Sequence, residues 1–200
     1  GRLLAEFARQ KRVFVPIEAM PKRLINAFLA AEDKNFYRHF GVDPMGVLRA
    51  GLTNLRRLGS DDRRPVGGST ITQQVAKNFL LTNEVSIERK IKEAILAIRI
   101  ERALDDKDRI LELYLNEIYL GYGSYGVAAA ALNYFNTSLD ELSLAEIAYL
   151  AALPKAPSNY DPVNNARAAT GRRDWVIARM LEEGFVTAEE AVSAQAQPLE

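Results

Sequence analysis

Along most of the chain, apolar residues recur every three or four positions, the spacing of helices with one buried face. Pro21 suits a first helical turn, and Ile25, Phe28, Leu29 and Glu32 then share one face. Thr70-Ile71-Thr72-Gln73 has the spacing of a capping box and predicts a helix running to about Leu81. Ser86 is placed to cap the next helix, whose apolar stripe is Ile87, Ile91, Ala94, Ile95 and Ile98. Asp105 or Asp106 opens another, ending near Gly121 and Gly123. Gly126 to Phe135 reads as a small-residue helix that packs closely. Ser143-Leu144-Ala145-Glu146 is a second capping box, opening a helix to about Leu153. Arg172 to Glu183, stopped by Gly184, and Thr187 to about Ala194 complete the set. Pro154, Pro157 and Pro162 enforce an irregular stretch between them. The best strand candidate is Lys11 to Ile17. The pattern predicts a mainly α fold, one domain over residues 1–200, without internal repeats.

Composition narrows the class. A chain of 200 residues, 48% hydrophobic and 26% charged, is long enough and apolar enough for a real core. Zero formal net charge argues against a general nucleic-acid binder. No cysteine and one histidine exclude thiol chemistry and make a histidine-based zinc site improbable. No apolar run reaches the ~18 residues of a membrane span. The chain starts at Gly1 without Met, so it reads as a domain excised from a longer protein, with any anchor or second domain outside it. One segment departs from the globular pattern. Between Val47 and Pro65, five arginines face two aspartates, with Leu48, Leu52, Leu55 and Leu58 threaded at roughly helical spacing. It fits either a solvated amphipathic helix and loop or an element that touches anionic lipid.

Polar groups that suit no core helix concentrate in a few places. Glu32-Asp33 is followed by Phe36 and by the single histidine, His39. Adjacent carboxylates point apart on a helix, so one faces a site and the other accepts hydrogen bonds from nearby structure. Phe36, one turn on, is placed to shield Glu32 and raise its pKa, as a general base requires. The bland alternative is a surface acid pair beside a hydrogen-bonded histidine. After Gly67-Gly68-Ser69, the positions Thr70, Gln74 and Lys77 form one polar face, with Gln73 and Asn78 alongside. A glycine-rich entry, free helix N–H groups and a lysine favour an anion. Arg89-Lys90 and Glu93 are one turn apart and form either an ion pair or parts of one site. Glu112 and Asn116 fit bracing of helices, while Lys155 and Tyr160 have the character of site-wall residues.

These segments, in this order, resemble the five motifs of the peptidoglycan glycosyltransferases, glycosyltransferase family 51. Glu32-Asp33, Phe36, His39 and Gly41 are similar to the first, and Gly68-Ser69-Thr70-Ile71-Thr72-Gln73-Gln74 with Lys77-Asn78 to the second. Arg89-Lys90 and Glu93, then Ile110-Leu111-Glu112 with Tyr114-Leu115-Asn116, match the third and fourth. Pro154-Lys155-Ala156-Pro157 with Tyr160 and Pro162 resembles the fifth. The likeness spans about Phe28 to Arg179. It looks like the transferase half of a class A penicillin-binding protein, or a monofunctional transglycosylase.

The resemblance implies a lysozyme-like α-helical fold with a large lobe and a smaller, mobile membrane-proximal jaw that includes residues 47–66. It implies polymerisation of lipid II onto a growing β-1,4 glycan strand, with inversion and release of undecaprenyl pyrophosphate. Glu32 matches the general base and Glu93 the second carboxylate. Lys77 and Arg89 match the cations at the pyrophosphate. Asp33, Phe36, His39, Ser69, Thr70, Gln73, Gln74, Asn78, Lys90 and Lys155 match residues that line the substrate site. No cofactor is required, although a divalent cation (Mg²⁺ or Mn²⁺) at the pyrophosphate is compatible, and no dedicated metal cage is visible. The implied setting is the extracytoplasmic face of the bacterial inner membrane, with an anchoring helix and a transpeptidase domain outside this segment. Rival readings are a glycan-cleaving lysozyme-like enzyme, which needs no pyrophosphate cradle, and a non-catalytic wall-binding module, which needs neither glutamate.

Overall fold

The structure, a computed structural model, describes residues 13–56, 68–79 and 86–199. Among these the regular elements are α-helices and a few short 3-10 turns, the helices being α1 (Lys22–Glu32), α2 (Pro44–Arg56), α3 (Ile71–Phe79), α4 (Ile87–Leu104), α5 (Lys107–Glu117), α6 (Val127–Phe135), α7 (Leu144–Ala152), α8 (Ala166–Glu182) and α9 (Ala188–Ala196). Two compact units divide the chain, one of residues 1–27 and 115–200, the other of residues 28–114.

The first unit is built around α7. That helix is apolar all round and buried along its whole length, so it needs neighbours on every side. α8 and α9 pack on it, and α6 uses its alanines to approach closely. Its N-terminus is closed by the predicted capping box, in which Ser143 and Glu146 exchange side-chain and backbone hydrogen bonds. Arg173, fully buried on α8, donates to the carbonyls of Gln195 (3.0 Å) and Gln197 (2.7 Å), satisfying the end of α9. Ahead of α1, Val15 does not sit in a strand. Its N–H donates to Asn116 Oδ1 at 2.8 Å and its carbonyl accepts from Asn116 Nδ2 at 2.9 Å. Over residues 13–17 the predicted strand Lys11–Ile17 is therefore corrected, its first two positions lying outside the described residues: a side-chain amide replaces the neighbouring strand, and the only β pairing among the described residues is an isolated bridge between Tyr119 and Tyr125.

The second unit is held by α3 against α4. Thr72 donates to Glu101 at 2.6 Å, and Lys107 reaches the same oxygen at 2.7 Å, tying α3, α4 and the start of α5. Phe28 and Tyr114 meet edge to face with centroids 6.2 Å apart, both fully buried. Each such side chain contributes about 1.5–3 kcal/mol by leaving water. Gly41 (φ 99°) lets the chain pass α4, because a Cβ there would lie 2.8 Å from the Ala97 carbonyl carbon.

Two expectations change register. The apolar stripe of α4 exists but faces outward: Ile87, Ile91 and Ile95 are 81%, 56% and 48% exposed, and the buried positions are Glu93 and Ala97. Periodicity reveals that a helix has an apolar face, while Glu93's ion pairs and Ala97's contact with Gly41 decide which face is inside. Helix α8 begins at Ala166 rather than Arg172, since alanine propensity carries the first turns without an apolar stripe. Within the segment 47–66, residues 47–56 belong to α2, and Leu48 and Leu52 are exposed. The rest of that segment, the side chain of Leu55, and the predicted end of α3 at Leu81 lie outside the described residues.

Candidate active site

Most of the polar motif residues collect in the second unit, where α1 ends and α3 begins. α1 stops because the chain turns at Asn35, and this leaves Glu32 half-buried and Asp33 buried. The two carboxylates divide the labour as adjacent positions on a helix must. Asp33 Oδ2 accepts the Ile71 N–H at 3.0 Å, supplying an acceptor to the first turn of α3. Its oxygens also meet His39 Nε2 at 2.9 and 3.0 Å. His39 Nδ1 accepts the Gly41 N–H at 3.1 Å, so Nε2 carries the ring proton and donates to Asp33. Asp33 and His39 thus lock the first motif to the second. Phe36 supports this lock: it is fully buried, meets the His39 ring edge to face at 6.1 Å, and carries the Lys107 ammonium 4.5 Å above its ring.

Glu32 is turned toward α3, where Gln74 Nε2 donates to its Oε2 at 2.9 Å. The start of α3 is the predicted capping box. Thr70 Oγ1 accepts the Gln73 N–H at 3.0 Å, and Gln73 Oε1 accepts the Thr70 N–H at 2.9 Å. The Thr70 hydroxyl donates onward to the Gly41 carbonyl at 2.6 Å. Thr70 and Gln73 are buried in this frame, so they shape the site by fixing its backbone. Lys77 and Asn78 are exposed one turn further on, and Lys77 has no hydrogen bond or ion pair among the described residues.

On α4, Glu93 is buried between two cations. Lys90 Nζ stands 2.7 Å from one carboxylate oxygen, and Arg89 Nε stands 3.1 Å from the other in an ionic contact without an aligned hydrogen bond. Lys90 also donates to Ser69 Oγ at 3.2 Å, joining α4 to the glycine-rich entry of α3. The arrangement makes Glu93 a holder of Arg89 and Lys90.

A cleft of about 170 Å³ opens beside Glu32 and Ser69, and its walls include Lys34, Asp43, Arg49 and Gly68. Gly68 approaches α2 closely, with a Cβ position 3.3 Å from Val47 Cα. Asp43 caps α2 by accepting the Gly46 N–H at 2.9 Å. Burial pushes its carboxyl up, but the Asn35 amide, the Gly46 N–H and the Arg49 charge outweigh it and hold the group below its ordinary value. Lys34, Asp43 and Arg49 escaped the sequence reading of the site. Asp43-Pro44 was a visible helix-start signal, but nothing in the spacing turned α2 toward Glu32. Lys155 belongs to the other unit, at the end of the 3-10 turn Leu153–Lys155. Among the described residues, no three carboxylates or imidazoles converge as a metal cage. Asp33 and Asp43, which border the cleft, are engaged by neighbouring donors.

A helical unit that puts one carboxylate beside an amide, a glycine-rich helix entry and a group of cations has the makings of a glycosyl-transfer site. A family profile described as transglycosylase matches residues 1–181, and the chain belongs to that family. It is 56% identical to penicillin-binding protein 1A of Rickettsia felis over its full length, and 54% identical to that of Aquifex aeolicus. It spans 25% and 27% of those proteins, about a quarter of their length. A crystal structure of penicillin-binding protein 1A from Haemophilus influenzae superposes with a TM-score of 0.54 and 31% identity, over 94% of this chain and 18% of that one. The helical, lysozyme-like fold expected from the motifs fits this neighbour.

Proposed function

We propose that this domain is a peptidoglycan glycosyltransferase that polymerises lipid II, with Glu32 as general base, and that the Glu32–Gln74 contact beside an exposed cationic face carries the reading. The acceptor strand's 4-hydroxyl loses its proton to Glu32 as its oxygen attacks the donor's anomeric carbon. The undecaprenyl diphosphate departs from the opposite face, so an α-linked donor gives a β-1,4 product by inversion. A diphosphate is a good leaving group once its charge is met, and cations aimed at it lower the barrier without a proton donor. Lys77, exposed and uncommitted among the described residues, supplies that charge. Arg89 and Lys90 extend it, held in place by Glu93. Ser69, Gln74, Asn78 and Lys155 are assigned to the substrate. Asp33, Phe36, His39, Thr70 and Gln73 keep the site in shape. A divalent ion at the diphosphate would take its ligands chiefly from the substrate's own oxygens, since no residue cage accompanies it among the described residues.

The outward stripe of α4 and the exposed Leu48 and Leu52 of α2 are assigned to the membrane surface, where the lipid substrate resides. Residues 47–66 are assigned to the jaw. No described helix is long and apolar enough to cross a membrane, so the proposed anchor lies outside these residues. A transpeptidase domain in the same full-length protein and placement on the extracytoplasmic side of the inner membrane complete the reading. Incubating the domain with lipid II tests it: glycan polymer and released undecaprenyl diphosphate are expected, whereas cleavage of preformed glycan without polymer would mean a lytic enzyme.

A further inference from the structure

The first unit carries a cavity that glycosyl transfer at Glu32 leaves unused. It measures about 210 Å³ and is lined by Tyr119, Tyr122, Tyr134, Pro157, Ser158 and Asp161. Its walls are held at a cost. Tyr122 sits in the left-handed region at φ 46°, a conformation unfavourable for an aromatic residue, yet its side chain is not core: the residue is 57% exposed. Gly121 beside it (φ 88°) makes room, since a Cβ there would lie 2.6 Å from the Tyr134 hydroxyl and 3.2 Å from Pro157 Cβ. The Tyr122 and Tyr134 rings stand at 79° to each other with centroids 5.3 Å apart, as two walls of a corner.

The hydroxyls of these rings are already committed. Tyr122 donates to Asp161 Oδ2 at 2.7 Å, and Tyr134 donates to the Leu120 carbonyl at 2.7 Å. What Tyr122 and Tyr134 leave for a ligand is mainly ring face. Asp161 also accepts from the N–H groups of Asn164 (2.9 Å) and Val163 (2.8 Å). The Asn164 N–H, the Tyr122 hydroxyl and the Asn164 amide pull its carboxyl down to about 2, so it is ionised at any working pH. Among the described residues no lysine or arginine pairs with it.

We infer that this cavity binds an alkylammonium group, such as the end of a lysine-type side chain, between the tyrosine faces and the Asp161 carboxylate. Perpendicular aromatic faces with a nearby anion are the arrangement that attracts such cations. The volume is below the ~300 Å³ of the smaller ligand pockets, which suits a side-chain end better than a whole saccharide. The bonds from Tyr122 to Asp161 and from Tyr134 to Leu120 leave a sugar fewer hydroxyl partners here, and sugars are recognised through hydrogen bonds. The inference is independent of the transferase assignment.

Titration of the 200-residue chain, followed by the NMR signals of the tyrosine rings, tests it. Choline and Nα-acetyl-lysine amide are expected to shift Tyr119, Tyr122 and Tyr134 saturably. Their neutral shape-matched counterparts, 3,3-dimethylbutanol and Nα-acetyl-norleucine amide, should bind at least about tenfold more weakly. Asp161→Asn should lose about tenfold for the charged ligands only. Should that variant fail to fold, the charged–neutral comparison on the unaltered chain still decides. Equal affinity for charged and neutral partners, no saturable shift, or binding of N-acetylglucosamine at these rings in place of the ammonium would overturn the assignment.

Discussion

Gln74 Nε2 lies 2.9 Å from Glu32 Oε2 and donates to it, while Gln74 Oε1 faces the Tyr114 hydroxyl at 3.5 Å, the outer limit of a hydrogen bond. The amide therefore orients the carboxylate and is itself only loosely held from behind. A hydrogen bond to a charged group is worth about 1.5–3 kcal/mol. Gln74→Ala is expected to slow lipid II polymerisation by roughly 10–100-fold while leaving the thermal midpoint close to that of the unaltered protein. An unchanged rate would mean that Glu32 is positioned by other contacts.

Gly41 is where the first motif, α3 and α4 meet. Its N–H donates to His39, its carbonyl accepts from Thr70, and its α-carbon faces the Ala97 backbone. Gly41→Ala combines a positive φ with a Cβ 2.8 Å from backbone that cannot yield. The expected loss is about 2 kcal/mol or more, read as a lowered denaturation midpoint together with lost activity. A midpoint unchanged by the substitution would show that α4 does not approach so closely.

How much of this was legible beforehand follows from what each residue does. Capping boxes at Thr70–Gln73 and Ser143–Glu146 were readable because their chemistry is local, closed within four residues. The division between Glu32 and Asp33 was readable as a division, since neighbours on a helix point apart. That Asp33 would cap α3 was not, because Ile71 is 38 positions away and only tertiary folding brings its N–H there. Phe36 was expected to shield Glu32; the contacts described here put its ring against His39. The inward face of α4 was hidden for a further reason: a buried glutamate with two cations overrode the hydrophobic stripe. Lys34, Asp43 and Arg49 reach the cleft through a turn whose path no periodicity encodes.

Lys77 is exposed and has no partner among the described residues, so removing it should not disturb the fold. Lys77→Ala is expected to weaken binding of a diphosphate-bearing donor mimic by about tenfold or more, with little change for a neutral glycan. Calorimetric titration of both ligands checks this. Equal losses for the two would mean that the lysine does not meet the phosphate.

Leu48 and Leu52 are 57% and 50% exposed, and surface positions of this kind contribute within about 0.5 kcal/mol to stability. Replacing both with Ser should keep the thermal midpoint while reducing sedimentation with anionic vesicles and turnover of membrane-held lipid II. A short-chain, water-soluble analogue should be turned over nearly as before. Loss of folding in the double variant would make these leucines core instead of membrane contacts.

The central claim is that Glu32 removes the acceptor's proton. Substituting Glu32→Gln keeps the shape and a partner for Gln74 while removing the base, and a positioned general base is worth about 10²–10⁴-fold in rate. The measurement is the initial rate of lipid II polymerisation by the variant, with its folding checked by thermal denaturation. A drop of that size in a well-folded protein is the predicted result. Polymerisation near the unaltered rate would contradict the account.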